Sequence, residues 1–116
     1  MRDYRLFLQD TLAAMDSIQE FVAGMTMVDF LDDDKTSSAV IRKLEIIGEA
    51  VKQIPPAIRE QYPQVAWKEM AGMRDVLIHF YFGVNLKLTW KTIQEDIPVA
   101  RQQIAQVLND LTMDSE

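Results

Sequence analysis

Apolar residues along the chain recur at steps of three and four for most of its length. Leu8, Leu12, Met15, Ile18 and Val22 fall on one face of a first helix, and Gly24 stops it. The stretch from Met25 to Asp34 reads as a connection. Within it Asp32, Asp33 and Asp34 form a solvated turn or a helix cap. Thr36 to Ser38 can cap a second helix. Its stripe is Val40, Leu44, Ile47, Val51 and Ile54, closed by Pro55 and Pro56. Residues Pro56 to Pro63 read as a linker with one short helical turn. A third helix is predicted from about Val65 to Phe82, with Gly83 as its stop and Asn85 as the next cap. Trp90, Ile93, Ile97, Ile104, Val107 and Leu111 line a fourth, which Pro98 should kink or break. No stretch alternates with period two between turn residues. The pattern predicts an all-α fold: one domain spanning residues 1–116, an antiparallel bundle of four main helices whose connections are short.

Composition narrows the class. Of 116 residues 48% are hydrophobic and 26% charged, with four Gly and four Pro, as in an ordinary globular domain. The absence of Cys removes disulfides and thiolate metal sites, and a single His cannot build a multi-histidine centre in one chain. No metal and no cofactor is expected. The start lacks the apolar block of a signal peptide, and the uncharged run Val76–Leu86 is too short to span a bilayer. A cytoplasmic protein without a membrane contact is the expectation. The formal net charge of −6 opposes loose binding to nucleic acid, so any such contact must be local.

The third helix departs from a simple amphipathic pattern. At about 100° per residue, Met73, Val76, Leu77, Phe80 and Val84 form its core stripe. The outer arc runs through Tyr81, Arg74, Ile78, Phe82, Asp75 and His79, so Ile78 and Phe82 make an apolar strip where polar residues belong. Such a strip marks an interface, and a second copy related by a two-fold axis is the simplest partner. Asp75 and His79 are four apart on one face. The carboxylate can fix the imidazole tautomer and raise its pKa, leaving the other nitrogen to move a proton. Arg74 lies about 140° from His79 on a straight helix, so the two can meet through the long guanidinium arm or across an interface. A planar, always charged guanidinium suits a phosphodiester. The plainer readings stand beside these: Asp75 and His79 as a surface or interface pair, and Tyr81 as an amphipathic interface residue. Trp67 and Trp90 read as core or its rim, the seven Met residues fall mainly at core-like positions, and Arg42, Glu45 and Glu49 read as solvent charges.

The run Arg74-Asp75-Val76-Leu77-Ile78-His79-Phe80-Tyr81 resembles the Arg-X4-His-X-Tyr motif of HepT-like toxins in the HEPN superfamily. Trp67–Met73, Arg42–Ala50 and Asn85–Pro98 are similar in appearance, so the likeness covers nearly the whole chain. It implies an all-α homodimer acting as a metal-independent endoribonuclease, the toxin of a toxin–antitoxin pair. His79 would be the general acid and base at the ribose 2′-hydroxyl and the leaving oxygen. Arg74 would stabilise charge on the transferring phosphoryl group, and Asp75 would orient His79. The implied antitoxin is a minimal nucleotidyltransferase of the MntA kind, which can transfer AMP to the motif tyrosine, here Tyr81. The competing reading is a non-enzymatic helical module that binds a nucleotidyltransferase and its nucleotide. A helix-turn-helix DNA binder fits poorly, because the third helix has few polar residues for a groove and the net charge has the wrong sign.

Overall fold

The computed structural model describes residues 3–72 and 85–114 and is all-α, with no strand among those residues. α1 spans Tyr4–Phe21, α2 Met27–Asp32, α3 Asp34–Val51 and α4 Pro56–Gln61. α5 is the helical stretch 67–72. α6 spans Leu86–Lys91, and a wide π-helical turn, Thr92–Asp96, joins it to α7, Ile97–Asp114.

Among the described residues α1 is the central element, packed most broadly on α3 and next on α7. Both neighbours run antiparallel to it. Tyr4 and Phe7, at the start of α1, share a groove with Lys52 to Pro56, just past the end of α3. At the other end of α1, Val22 and Met25 share one with Ile93 and Pro98. The stripes predicted for the first, second and fourth helices form the core. Leu8, Met15, Ile18 and Val22 are buried against Val40, Leu44, Ile47, Val51 and Ile54, and Ile93, Ile97, Ile104, Val107 and Leu111 close it from the third side. Leu12 packs at the margin. Thr11 is fully buried, and its hydroxyl donates to the Phe7 carbonyl at 2.9 Å, so burying it leaves no polar atom unpaired.

Three details differ from the sequence reading. The expected connection at 25–34 contains α2. Its start is a reciprocal cap: Thr26 Oγ1 accepts from the Asp29 amide at 3.1 Å, and Asp29 Oδ2 accepts from the Thr26 amide at 3.0 Å. α2 exists to bury one side chain, Phe30. Second, the cap of α3 is Asp33, ahead of the expected Thr36–Ser38. Asp33 Oδ1 accepts from the Thr36 amide at 3.0 Å and Oδ2 from the Thr36 hydroxyl at 2.8 Å. These bonds to the ionised form hold the Asp33 carboxyl below the ordinary carboxylate range. Third, the interruption expected at Pro98 takes the form of the π turn just before it, with helical backbone on both sides. Pro98 has no N–H to donate, and in a regular helix its ring would press on the Gln94 carbonyl. The wide turn shifts the register first: the Ile97 amide bonds back five residues to Thr92.

The linker expected at 56–63 is α4 and a turn, and Arg59 gives it a role. Its guanidinium donates to the carbonyls of Ile54 at 3.0 Å, Val51 at 3.2 Å and Lys52 at 3.1 Å. Val51 is the last residue of α3, and Lys52 and Ile54 lie in the turn that follows, so one side chain ties the helix end to the turn. No helix among the described residues is long and apolar enough to cross a membrane.

Candidate functional site

The candidate residues Arg74, Asp75, Ile78, His79, Tyr81 and Phe82 lie outside the described residues, as do the expected core stripe Met73 to Val84 and the stop at Gly83. What the structure defines is how the chain enters and leaves this segment. On the entry side, Trp67 opens α5 and is buried, together with Val65 and Met70. Its indole N–H donates to the Tyr62 carbonyl at 2.9 Å, closing the turn before the helix. The same turn is tied to α7. The Tyr62 hydroxyl donates to Asp110 Oδ2 at 3.3 Å, and Gln103 Nε2 donates to the Gln64 carbonyl at 3.2 Å. Gln103 and Asp110 are seven apart, so both reach out from one side of α7.

On the exit side Asn85 caps α6, as the sequence predicts. Its Oδ1 accepts from the Leu88 amide at 3.1 Å, and its carbonyl accepts from the Thr89 hydroxyl at 3.0 Å. Because α6, the π turn and α7 are continuous, entry and exit are both fastened to one helix.

The remaining sequence candidates have structural roles. Arg42 Nη1 pairs with Glu45 Oε2 at 3.3 Å on an exposed face, and Glu49 is exposed. Trp90 lies half-buried against the core. Asp33 and Asp34 open α3. Among the described residues no three His, Cys, Asp or Glu side chains cluster as metal ligands. The anchors Tyr62, Gln103 and Asp110, and Arg59, have no counterpart in the sequence reading. Tyr62 and Gln64 meet partners 48 and 39 residues away, and no local period reports such a pairing.

Charge is distributed unevenly. Residues 3–34 hold eight carboxylates and one arginine, whereas 35–72 and 85–114 together hold nine cations and eight carboxylates. The acidity of the chain thus belongs to α1, α2 and the start of α3. Arg101 spans to this region, its Nε donating to Asp16 Oδ1 at 2.6 Å, which raises the arginine pKa further.

Residues 11–107 match the family model described as ribonuclease HepT-like. A Thermococcus cleftensis protein named "Probable ribonuclease HepT" is 50% identical over 97 residues, 84% of this chain and 88% of that protein. Two Methanocaldococcus jannaschii proteins, each named "Putative RNase", are 46% identical over 110 residues and 44% over 115. These alignments cover 95% and 99% of this chain, and 95% of each relative. No solved structure matches the chain. With the Arg-X4-His-X-Tyr run intact inside the matched residues and relatives aligned over most of its length, the chain belongs to the ribonuclease HepT-like family.

Proposed function

We propose that the chain is a metal-independent endoribonuclease and the toxin half of a toxin–antitoxin pair. The observation that carries this reading is the octapeptide Arg74 to Tyr81, intact and inside the residues matched to a ribonuclease family. Relatives named as ribonucleases align along nearly the whole chain, which adds support.

In this reading His79 takes the proton from a ribose 2′-hydroxyl. The 2′-oxygen attacks the adjacent phosphorus, the bond to the 5′-oxygen breaks, and that oxygen leaves with a proton supplied by a histidine acid. The products are a 2′,3′-cyclic phosphate and a free 5′-hydroxyl. Arg74 neutralises the charge on the phosphoryl oxygens as they crowd, and Asp75 holds the imidazole in its working tautomer. Ile78 and Phe82 belong to a two-fold contact that brings the Arg and His of two protomers to one cleft. A partner nucleotidyltransferase silences the enzyme by moving AMP from ATP to the Tyr81 phenol, releasing pyrophosphate. The added phosphate sets a negative charge beside Arg74.

The test is RNA cleavage by the purified protein in EDTA, with its intact mass confirmed beforehand so that a modified Tyr81 is recognised. Cleavage that survives EDTA, ends in a cyclic phosphate and is lost in His79→Ala supports the reading. No cleavage by an unmodified, folded dimer favours the non-enzymatic partner-binding module.

A further inference from the structure

The two ends of the bundle leave different surfaces in water. Antiparallel packing gathers the end of α1, α2, the start of α3, α6 and the start of α7 at one end. Seven large apolar side chains are exposed among the described residues, and five belong to that end: Phe21, Met27, Val28, Leu88 and Val99. Val28, Leu88 and Val99 are more than half exposed, at 61%, 59% and 55%. The elements that carry them touch. α2 packs on both α3 and α6, and the tail of α1 borders the π turn and Pro98. Core demand does not explain the exposure, because Phe30 on α2 and Trp90 on α6 already meet on the inner side.

The same end carries the charge. From Leu6 to Asp34 there are seven carboxylates and no cation, and Asp16, Glu20, Asp29, Asp32 and Asp34 are exposed. Four cations lie on these elements: Arg101 is held by Asp16 and Lys91 by Glu95, and Lys35 and Lys87 are exposed. The seven carboxylates, together with Glu95 and Asp96, still outnumber them.

We infer that this end is a docking surface for a cationic protein, one that presents lysines or arginines around an apolar centre. An exposed group of large apolar side chains marks a protein contact, and the sign of the surrounding charge selects the partner and speeds its approach. RNA carries the wrong sign. A second copy meeting this face about a two-fold axis would set carboxylates against carboxylates. The surface is independent of the cleavage chemistry and lies on elements outside the Arg74–Tyr81 run.

The test uses the full chain and a synthetic 18-residue amphipathic helix with leucine on one face and lysine on the other, followed by fluorescence anisotropy. Val28→Ser with Leu88→Ser, and Glu20→Gln with Asp32→Asn, should each raise Kd at least tenfold. The charge pair should also flatten the salt dependence. Glu60→Gln with Met113→Ser, remote from this end, should change Kd less than twofold. All six positions are exposed, and circular dichroism checks that each variant is folded. Equal weakening by the remote pair, or none by the two local pairs, overturns the proposal. So does dissociation of a wild-type oligomer by Val28→Ser with Leu88→Ser in sedimentation, which assigns the face to a second copy. Loss of binding to a 20-nucleotide RNA in those variants overturns it in favour of RNA.

Discussion

The rings of Phe30 and Trp90 lie 5.4 Å apart, centroid to centroid, with their planes tilted by 40°. This contact joins the six-residue α2 to the helix that begins just after the candidate motif. Phe30→Ala should destabilise the fold by about 3–5 kcal/mol, since a fully buried ring leaves a cavity that neighbours fill only in part. A double-mutant cycle with Trp90→Ala, read by urea unfolding, should give a coupling of about 0.5–1.5 kcal/mol. Zero coupling would mean that α2 is held by something else.

Asp33 links stability to pH. Its carboxyl is held below its ordinary value by hydrogen bonds from Thr36, backbone and side chain. The folded state therefore binds that proton less readily than the unfolded state. The contribution is present above about pH 4 and is lost as pH falls through the lowered folded value. Asp33→Asn keeps an acceptor for the Thr36 amide but has no charge to lose. Thermal unfolding between pH 6 and pH 2 should show a shallower decline for the variant than for the wild type; parallel curves would refute the assignment.

Arg59 closes the end of α3 with three hydrogen bonds to carbonyls. Arg59→Met keeps the aliphatic stem and removes the donors, at a cost of about 2 kcal/mol. Arg59→Lys should recover little of it, because one ammonium cannot reproduce the spread of a guanidinium fork. Chemical denaturation separates the two, and full recovery with lysine would show that charge alone matters.

Deleting Gln94 would remove one exposed residue from the π turn. With Pro98 retained, the ring then falls in a regular helix, where proline costs about 3 kcal/mol. Combining the deletion with Pro98→Ala should restore much of that stability. If the deletion alone is neutral, the turn does not serve the proline.

The proposed chemistry has its own signature. Replacing the ribose at the cut site by 2′-deoxyribose should leave that bond intact, because the attacking oxygen is gone. Arg74→Ala should lower the cleavage rate by about 10²–10³. RNA affinity should be weak and fall with salt, which a filter-binding titration reads directly.

Much of the fold was legible because burial imposes a helical period on long elements. Leu8, Met15 and Ile18, and Val40, Ile47 and Val51, were readable as stripes and are fully enclosed. α2 was not, since six residues around one buried ring have no period. Its trace was the Thr26–Asp29 spacing, a cap signature that holds in the structure. The candidate residues themselves were legible from the motif. Their anchors were not, because Tyr62 and Gln64 find partners that adjacency in sequence does not specify.

The run from Leu86 to Asp114 is helical backbone throughout, roughly 40 Å at 1.5 Å per residue, in a molecule 47 Å long. Both flanks of the candidate motif are fastened to this one strut, by Asn85 at one end and by Gln103 and Asp110 towards the other. Local opening of the strut would release both attachments together, making them one cooperative unit in amide exchange. The amides around Trp67 and those around Thr89 should then exchange with a shared free energy, although 22 residues separate them in sequence.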